Sequence, residues 1–233
     1  MGEITQAPSA GAPAIPRPRV HRSPPTPWLK PGVFAGALAP LAYLLVQGAR
    51  GRLGANPIAE ALNNLGLVAL IFLIASLACT PLKTLFGWGW PIRLRRMLGL
   101  FAFFYAALHL TTYSGLDQGL DFRAIWRDVT KRPFIFVGAA AFLLMVPLAL
   151  TSTAASVKRL GNVAWKRLHR LVYLSAALGV IHFFLRVKKD VRGPAIYGIV
   201  LGVLLLVRAL AFLRKKMILR RMHAGAPVAS PAE

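Results

Sequence analysis

Long apolar stretches separated by short basic clusters make up most of the 233-residue chain. Four stretches carry no Lys, Arg, Asp or Glu (31–49, 61–82, 97–116 and 133–157), and two shorter ones follow at 171–185 and 193–207. A helix that spans a membrane needs about 20 mostly apolar residues. The runs are continuously apolar rather than alternating, which argues against the strands of a membrane barrel. The pattern therefore predicts an all-α integral membrane protein, a bundle of six transmembrane helices at roughly 32–49, 63–82, 97–114, 134–151, 168–187 and 194–213.

The two ends of the chain differ from this apolar middle. Seven prolines lie between Pro8 and Pro27, with few large apolar residues among them. We expect residues 1–31 to form a disordered tail, residues 32–215 the membrane domain, and residues 216–233 a basic and then flexible tail. The first segment has no early apolar core, so it does not resemble a cleavable signal peptide.

Composition favours the membrane class over the alternatives. The chain is 56% apolar and 15% charged, whereas a soluble domain carries about 25% charged residues. A net charge of +22 alone would suggest a nucleic-acid partner. The basic residues, however, sit between apolar runs, which is typical of membrane proteins that contact lipid headgroups, so no nucleic acid is predicted. A single cysteine, Cys79, excludes an internal disulfide and a Cys-rich metal cluster.

The basic residues also predict an orientation. Eighteen Lys and Arg residues fall in the N-terminal tail, the second and fourth connections and the C-terminal tail, and ten fall in the other three connections. The side with 18 is predicted to be cytoplasmic, with both termini inside. Arg208 falls beside the last short apolar run and is expected to snorkel towards the headgroups.

The third connection, Asp117–Arg132, allows two readings. It is long enough for an amphipathic surface helix that rests Leu120, Ile125 and Trp126 on the membrane interface. A solvated loop is the alternative.

Histidines supply the candidate chemistry. His21 and His223 lie in the tails, whereas His109, His169 and His182 lie in or at the edge of predicted spans, where an ionisable residue is costly and indicates a function. No predicted span contains Asp or Glu, which disfavours proton pumps and carboxylate-based transporters. Zinc normally takes three or four ligands, and a non-haem iron triad needs a carboxylate. Haem needs only one or two axial side chains and an apolar slot between helices, so it fits these residues best.

Depth singles out two of these histidines. His109 and His182 each lie about five residues from the outer end of a predicted helix, and the two helices run in the same direction. We therefore predict that they are the axial pair of one b-type haem near the outer face. Four phenylalanines could line the slot, although ordinary packing is the simpler reading: Phe103, Phe104, Phe183 and Phe184.

His169 differs from this pair because it lies at the inner end of the fifth predicted helix. Thirteen residues separate it from His182, which places the two about 140° apart around a straight helix. At the matching depth of the third predicted helix stand Arg95 and Arg96, which are not iron ligands. The sequence thus offers half of an inner haem site, with His169 as a third candidate ligand or as an interfacial basic residue.

The inner basic run could also hold an anion. Lys166, Arg167 and Arg170, with Arg95 and Trp165 nearby in the predicted topology, could meet a flavin phosphate or a quinone, or simply lipid headgroups. The chain has no GxGxxG motif at a strand–helix junction and no P-loop. If it moves electrons, it must receive them from another molecule.

The arrangement of His109, His169 and His182 on six spans resembles the ferric-reductase-like transmembrane domain. Within that superfamily, five segments are similar to the MsrQ (YedZ) family, the haem-binding membrane subunits of bacterial protein-methionine-sulfoxide reductase systems. The likeness covers about residues 32–215. Its segments are Leu110–Tyr113 with Leu116–Gly119, Lys131–Ile135, Pro147–Thr153, Trp165–Tyr173, and His182 leading to Val187 and Lys188.

The resemblance implies a function that spacing does not. It implies b-type haem, FMN, and electron transfer across the inner membrane to a periplasmic molybdenum-cofactor methionine-sulfoxide reductase (MsrP-like). The quinone pool or a cytoplasmic flavin reductase would supply the electrons, and the chain would be a non-catalytic subunit. The haem histidines of the family match His109, His169 and His182, whereas Arg95 stands where the superfamily has a second histidine in the third helix. The alternatives are a His-based proton or metal-ion transporter and a non-redox anchor of a periplasmic enzyme.

Overall fold

A computed structural model describes the backbone of residues 27–224 and the side chains of residues 27–220. Over that range every regular element is helical. A π-helical segment, Thr112–Asp117, continues the third helix. The α-helices are α1 (Leu29–Ala49), α2 (Pro57–Phe86), α3 (Trp90–Thr111), α4 (Phe122–Lys131), α5 (Pro133–Leu150), α6 (Ala154–Leu168), α7 (Leu171–Arg186) and α8 (Arg192–Ala224).

Five of these helices are long and apolar enough to cross a membrane, namely α1, α2, α3 with its π-helical extension, α5 and α8. Helices α6 and α7 meet the same criteria only as a pair, bent by 42° at the break between them, so the described residues hold five candidate spans, or six if this pair crosses as one. The prediction of an all-α, multi-pass membrane protein is confirmed. The choice of the cytoplasmic side stays a prediction from charge.

Several helices extend beyond their predicted bounds, including α2 at both ends (57–86 instead of 63–82) and α3 at its start (90 instead of 97). Helix α1 begins at Leu29 instead of 32, and α8 continues to Ala224 instead of ending at 213. The extension of α8 is rich in Lys, Arg and Met, which are good helix formers outside a membrane as well. The fourth connection was predicted as a loop but forms α6, which starts where the Thr153 hydroxyl accepts from Ser156 N–H at 3.1 Å and kinks at Gly161. Of the predicted tails at 1–31 and 216–233, residues 29–31 belong to α1 and residues 216–224 to α8, whereas residues 1–26 and 225–233 lie outside the described part of the chain.

Two antiparallel helix pairs form the centre of the bundle. Helix α2 packs against α3, and helix α5 packs against α7. Within each pair, a buried serine donates to a backbone carbonyl of the partner helix, Ser76 to Arg95 at 2.9 Å and Ser175 to Ala141 at 3.0 Å. Such side-chain to backbone bonds let helices approach closely where lipid provides no hydrophobic drive.

Prolines inside α1 and α2 remove helical N–H donors, and other helices compensate. Beside Pro40, the buried Tyr105 hydroxyl accepts from Leu41 N–H at 3.2 Å and donates to the Ala37 carbonyl at 2.7 Å. It thus bridges two groups that a regular helix joins directly. This contact fastens α3 to α1.

Arg208 of α8 likewise supplies α2 with a hydrogen-bond donor that a proline removes. Pro81 has no N–H for the carbonyl of Leu77 four residues earlier, and Arg208 Nη2 donates to that carbonyl at 2.5 Å. Its Nη1 donates to the Tyr173 hydroxyl at 2.5 Å. The prediction that Arg208 snorkels to the headgroups was therefore wrong, because the proline leaves an acceptor that the guanidinium can satisfy inside the bundle.

Helix α4 decides between the two readings of the third connection. Asp121 caps it by accepting from Arg123 and Ala124 N–H at 2.8 and 3.1 Å. Trp126 on this helix is 70% exposed. The amphipathic helix is confirmed, and its contact with the membrane interface stays a prediction.

Candidate functional site

His109 and His182 meet at one end of the bundle, which we call the pair end. His109 lies near the end of α3, and His182 lies about one turn before the end of α7. Their ring centroids are 6.2 Å apart and their planes are at 82°. Because α3 packs on α2 and α7 on α5, the two imidazoles face each other from different helix pairs. The structure thus brings together the two histidines predicted as an axial pair.

Hydrogen bonds define which nitrogen of each ring is engaged. His109 Nδ1 lies 2.9 Å from the carbonyl oxygen of Leu62 in α2. His182 Nδ1 lies 2.6 Å from the carbonyl oxygen of Phe134 in α5. A carbonyl can only accept, so each Nδ1 is the protonated donor. In the neutral rings, both Nε2 atoms then keep the lone pair that binds a metal, the arrangement typical of metal-ligating histidines.

The spacing of the rings fits one metal ion between them. Metal–imidazole bonds are about 2 Å long and a ring centroid lies about 1 Å from its nitrogens, so two imidazoles on opposite sides of one ion have centroids about 6 Å apart. The observed separation is 6.2 Å. Two trans imidazoles are a common axial set for haem iron.

The ligand set is small. Among the side chains that the structure describes, no three His, Cys, Asp or Glu residues converge on one point. A structural zinc site needs more side-chain donors than the pair end offers. Haem brings its own equatorial nitrogens, so the two histidines suffice, and the residues present fit that cofactor.

His169 lies at the other end of the bundle, which we call the basic end. It is about 20 Å from His182 along α7, at 1.5 Å per residue. It occupies the break between α6 and α7, where its Nε2 lies 3.1 Å from Thr151 Oγ1 and its ring stacks on Trp165 at 3.9 Å. The structure does not bring His169 to the pair, and its role as a separate ligand stays a prediction.

The residues predicted to bind a flavin or quinone separate into two groups. Trp165 is half-buried, with its indole N–H donating to the Thr151 carbonyl at 2.9 Å, and half-buried Arg95 is an electrostatic neighbour of His169. The three other cations are exposed: Lys166, Arg167 and Arg170. The basic end therefore combines an aromatic face with surface cations.

The phenylalanines are explained mostly by packing. Phe183 and Phe184 contact α8 at the positions of Gly193 and Gly198. Phe104 lies edge-on to Phe101 and Tyr105, and Phe103 stacks on Phe142 of α5 at 5.4 Å. The simpler reading of these residues is the one that the contacts favour.

Sequence reasoning missed the groups that orient the pair. The acceptors are backbone carbonyls of Leu62 and Phe134, and a carbonyl leaves no mark in a sequence. It also missed Arg186, which donates from the end of α7 to Asn63 of α2 and so joins the two helix pairs beside the histidines.

The chain is similar to a known membrane-protein family and to curated proteins of several bacteria. Residues 64–180 match the family described as ferric reductase like transmembrane component. A protein of Rhodospirillum rubrum is 53% identical over 184 residues, which cover 79% of this chain and 88% of the relative. Relatives from Deinococcus radiodurans and Herminiimonas arsenicoxydans are each 51% identical, over 81% of this chain and 93% and 88% of their own lengths. All three bear the name protein-methionine-sulfoxide reductase heme-binding subunit MsrQ.

Proposed function

Because the chain belongs to the ferric-reductase-like transmembrane family, and within it to the MsrQ family of heme-binding subunits, we propose that it is the electron-transfer subunit of a protein-methionine-sulfoxide reductase system. It passes electrons across the bacterial inner membrane to a periplasmic, MsrP-like catalytic subunit. Reduction of the sulfoxide belongs to that partner, and this chain contributes no catalytic residue to it.

One observation carries the proposal. His109 and His182 come from separate helix pairs, and their ring centroids are 6.2 Å apart. In each ring Nδ1 donates a hydrogen bond to a backbone carbonyl, so Nε2 is available. A proton path would not need both rings locked in one tautomer, since a relay alternates between them. The locked rings favour iron ligation over the transporter alternative.

When bound, a b-type haem supplies a one-electron redox couple. His109 and His182 would hold it, and the Leu62 and Phe134 carbonyls keep both rings oriented and make the nitrogens more basic as ligands. Helix packing keeps these groups fixed, so little rearrangement accompanies a change of charge on iron. If haem is bound there, the two imidazoles, their hydrogen bonds to the carbonyls and their burial would tune its reduction potential.

Electrons are proposed to enter at the basic end. FMN or a quinone would bind there, near Arg95, Trp165 and the exposed cations of α6 and α7, and the quinone pool or a cytoplasmic flavin reductase would supply the electrons. The half-buried indole of Trp165, which stacks on His169, and the clustered positive charge support this assignment, because an aromatic ring and nearby cations suit a planar or anionic ligand.

The test is a cofactor count on purified protein in detergent. We expect the wild type to carry b-type haem with a six-coordinate low-spin spectrum that sharpens on reduction. His109→Ala and His182→Ala should each abolish the six-coordinate form, because one imidazole alone leaves an open position. His169→Ala is the matched control and should keep the spectrum of the pair. FMN is counted in the same samples.

Three outcomes would reject parts of the proposal. A folded double variant, His109→Ala with His182→Ala, that kept the six-coordinate spectrum would reject the ligand assignment. Wild-type protein without haem would favour a transporter. Haem-free variants that still supported methionine-sulfoxide repair in cells would indicate a non-redox anchor.

A further inference from the structure

Two glycines lie directly against the imidazoles of the pair end. An ideal Cβ built on Gly66 of α2 would lie 3.1 Å from His109 Nδ1 and 3.2 Å from its Cε1. A Cβ built on Gly138 of α5 would lie 2.6 Å from His182 Nδ1 and 2.8 Å from its Cε1. Contacts below 3.0 Å are essentially never made by real Cβ atoms. Any side chain at 138 would therefore displace the His182 ring.

Each glycine belongs to a unit that occurs once in each helix pair. Leu62 precedes Gly66 by four residues and Phe134 precedes Gly138 by four, so each acceptor carbonyl and its glycine lie on one face of a helix, one turn apart. The imidazole of the partner helix rests on the glycine and donates to the carbonyl. The hydrogen bond fixes one edge of the ring, and the glycine contact limits rotation about that bond.

We propose that Gly66 and Gly138 are positioning residues that set the ring planes of His109 and His182 nearly perpendicular. This inference rests on the proposed haem function. The observed angle of 82° is the outcome of two units acting on different rings from opposite helix pairs. The ring atoms nearest to a Cβ at either glycine are Nδ1, Cε1 and Cγ, on the side of the hydrogen bond, so each glycine acts through its histidine.

The ring angle has a spectroscopic signature that activity does not have. In low-spin ferric haem with two imidazoles, perpendicular planes leave two iron d orbitals nearly equal in energy. The electron paramagnetic resonance spectrum then shows one very large g value. Parallel planes separate these orbitals and give three well-spaced g values. The angle between the two imidazole planes can therefore be measured by this spectrum without a substrate or a partner protein.

The experiment compares wild type with Gly138→Ala, Gly66→Ala and the control Gly202→Ala, whose added Cβ meets nothing within 4 Å. Haem per chain and the ferric resonance spectrum are measured on purified protein. Wild type and Gly202→Ala should show the single large g value. Gly138→Ala should lose haem affinity by about 10–100-fold, the range typical for groups that orient metal ligands, or show a lower largest g value. Gly66→Ala should change haem affinity or the largest g value in the same direction but by a smaller amount, because its contact is looser.

Alanine is a better helix former than glycine, so lost helix stability cannot explain these effects. If Gly138→Ala does not fold, Gly66→Ala decides, since its contact is looser. Wild-type spectra and haem content in the folded glycine variants would overturn the inference and leave the proposed function intact. Three well-spaced g values in the wild type would overturn it too. Wild-type protein without haem would instead reject the proposed function itself.

Discussion

The pair end and the basic end of the bundle each hold histidine beside polar partners, yet they use the imidazole in opposite ways. At the pair end, Nδ1 of each ring is engaged by a carbonyl and Nε2 stays available. At the basic end, His169 Nε2 is engaged by Thr151 Oγ1, and Trp165 covers a face of the ring. The hydrogen-bonded nitrogen is thus Nδ1 at the pair end and Nε2 at the basic end, and iron ligation by any of the three histidines stays a prediction.

The difference follows from which atoms surround each ring. The neighbours of the pair are backbone carbonyls and glycines, which fix a ring and leave its far nitrogen unobstructed. The neighbours of His169 are the Thr151 hydroxyl, which contacts Nε2, and the Trp165 indole, which stacks on the face of the imidazole. To judge whether an intramembrane histidine can bind a metal, one must know which of its ring nitrogens is already hydrogen-bonded to the protein.

The largest effect on stability is expected at the basic end, from Arg208→Met. The variant leaves the Leu77 carbonyl and the Tyr173 hydroxyl without a donor inside the bundle. Unsatisfied buried polar groups cost about 1–3 kcal/mol each. We expect a lower midpoint of thermal denaturation in detergent and an unchanged haem spectrum, which would sharpen the contrast between the two ends.

A second substitution tests whether Arg208 stabilises the protein by replacing the helical donor that Pro81 lacks. In Pro81→Ala the new N–H supplies the Leu77 carbonyl with its helical partner. Arg208→Met in that background should regain much of the lost midpoint. If Pro81→Ala gave no rescue, repair of the proline break would not be the role of Arg208. A changed haem spectrum would show that the two ends are coupled.

A smaller effect is expected from Thr151→Val, which preserves shape and removes the hydroxyl that contacts His169 Nε2. The same hydroxyl also donates to the Pro147 carbonyl at 2.6 Å, so the variant loses two hydrogen bonds, which should cost about 1–2 kcal/mol. Haem per chain and the spectrum of the pair should not change. A shift in either would break the contrast, because it would mean that His169 also binds iron.

The smallest effect is expected from Trp126→Phe in α4, at the pair end. Since Trp126 is 70% exposed, stability should change by no more than about 0.5 kcal/mol. In vesicles containing lipids brominated near the headgroup, the difference in fluorescence between wild type and variant should be quenched. An unquenched difference would place α4 in water rather than on the membrane interface.

Much of the fold could be predicted from local pattern. The six spans and the amphipathic character of α4 follow from runs and spacings within single segments. Helix α6 was missed because its basic residues lie among only short apolar stretches, so no long run marks it. The contact of Arg208 with the interior of the bundle was not predicted, because its acceptor, the Leu77 carbonyl left without a partner by Pro81, lies 131 residues away in the chain.

The sequence alone indicated which segments are apolar enough to cross a membrane and which two histidines share a depth, because bilayer thickness acts on each segment separately and can be read along one helix. Only the tertiary structure decided that both Nε2 atoms are available and that the ring planes are perpendicular. Those properties depend on carbonyls 47 and 48 residues from their histidines and on glycines that touch the rings. Such contacts arise when separate helices pack, and no single segment carries them.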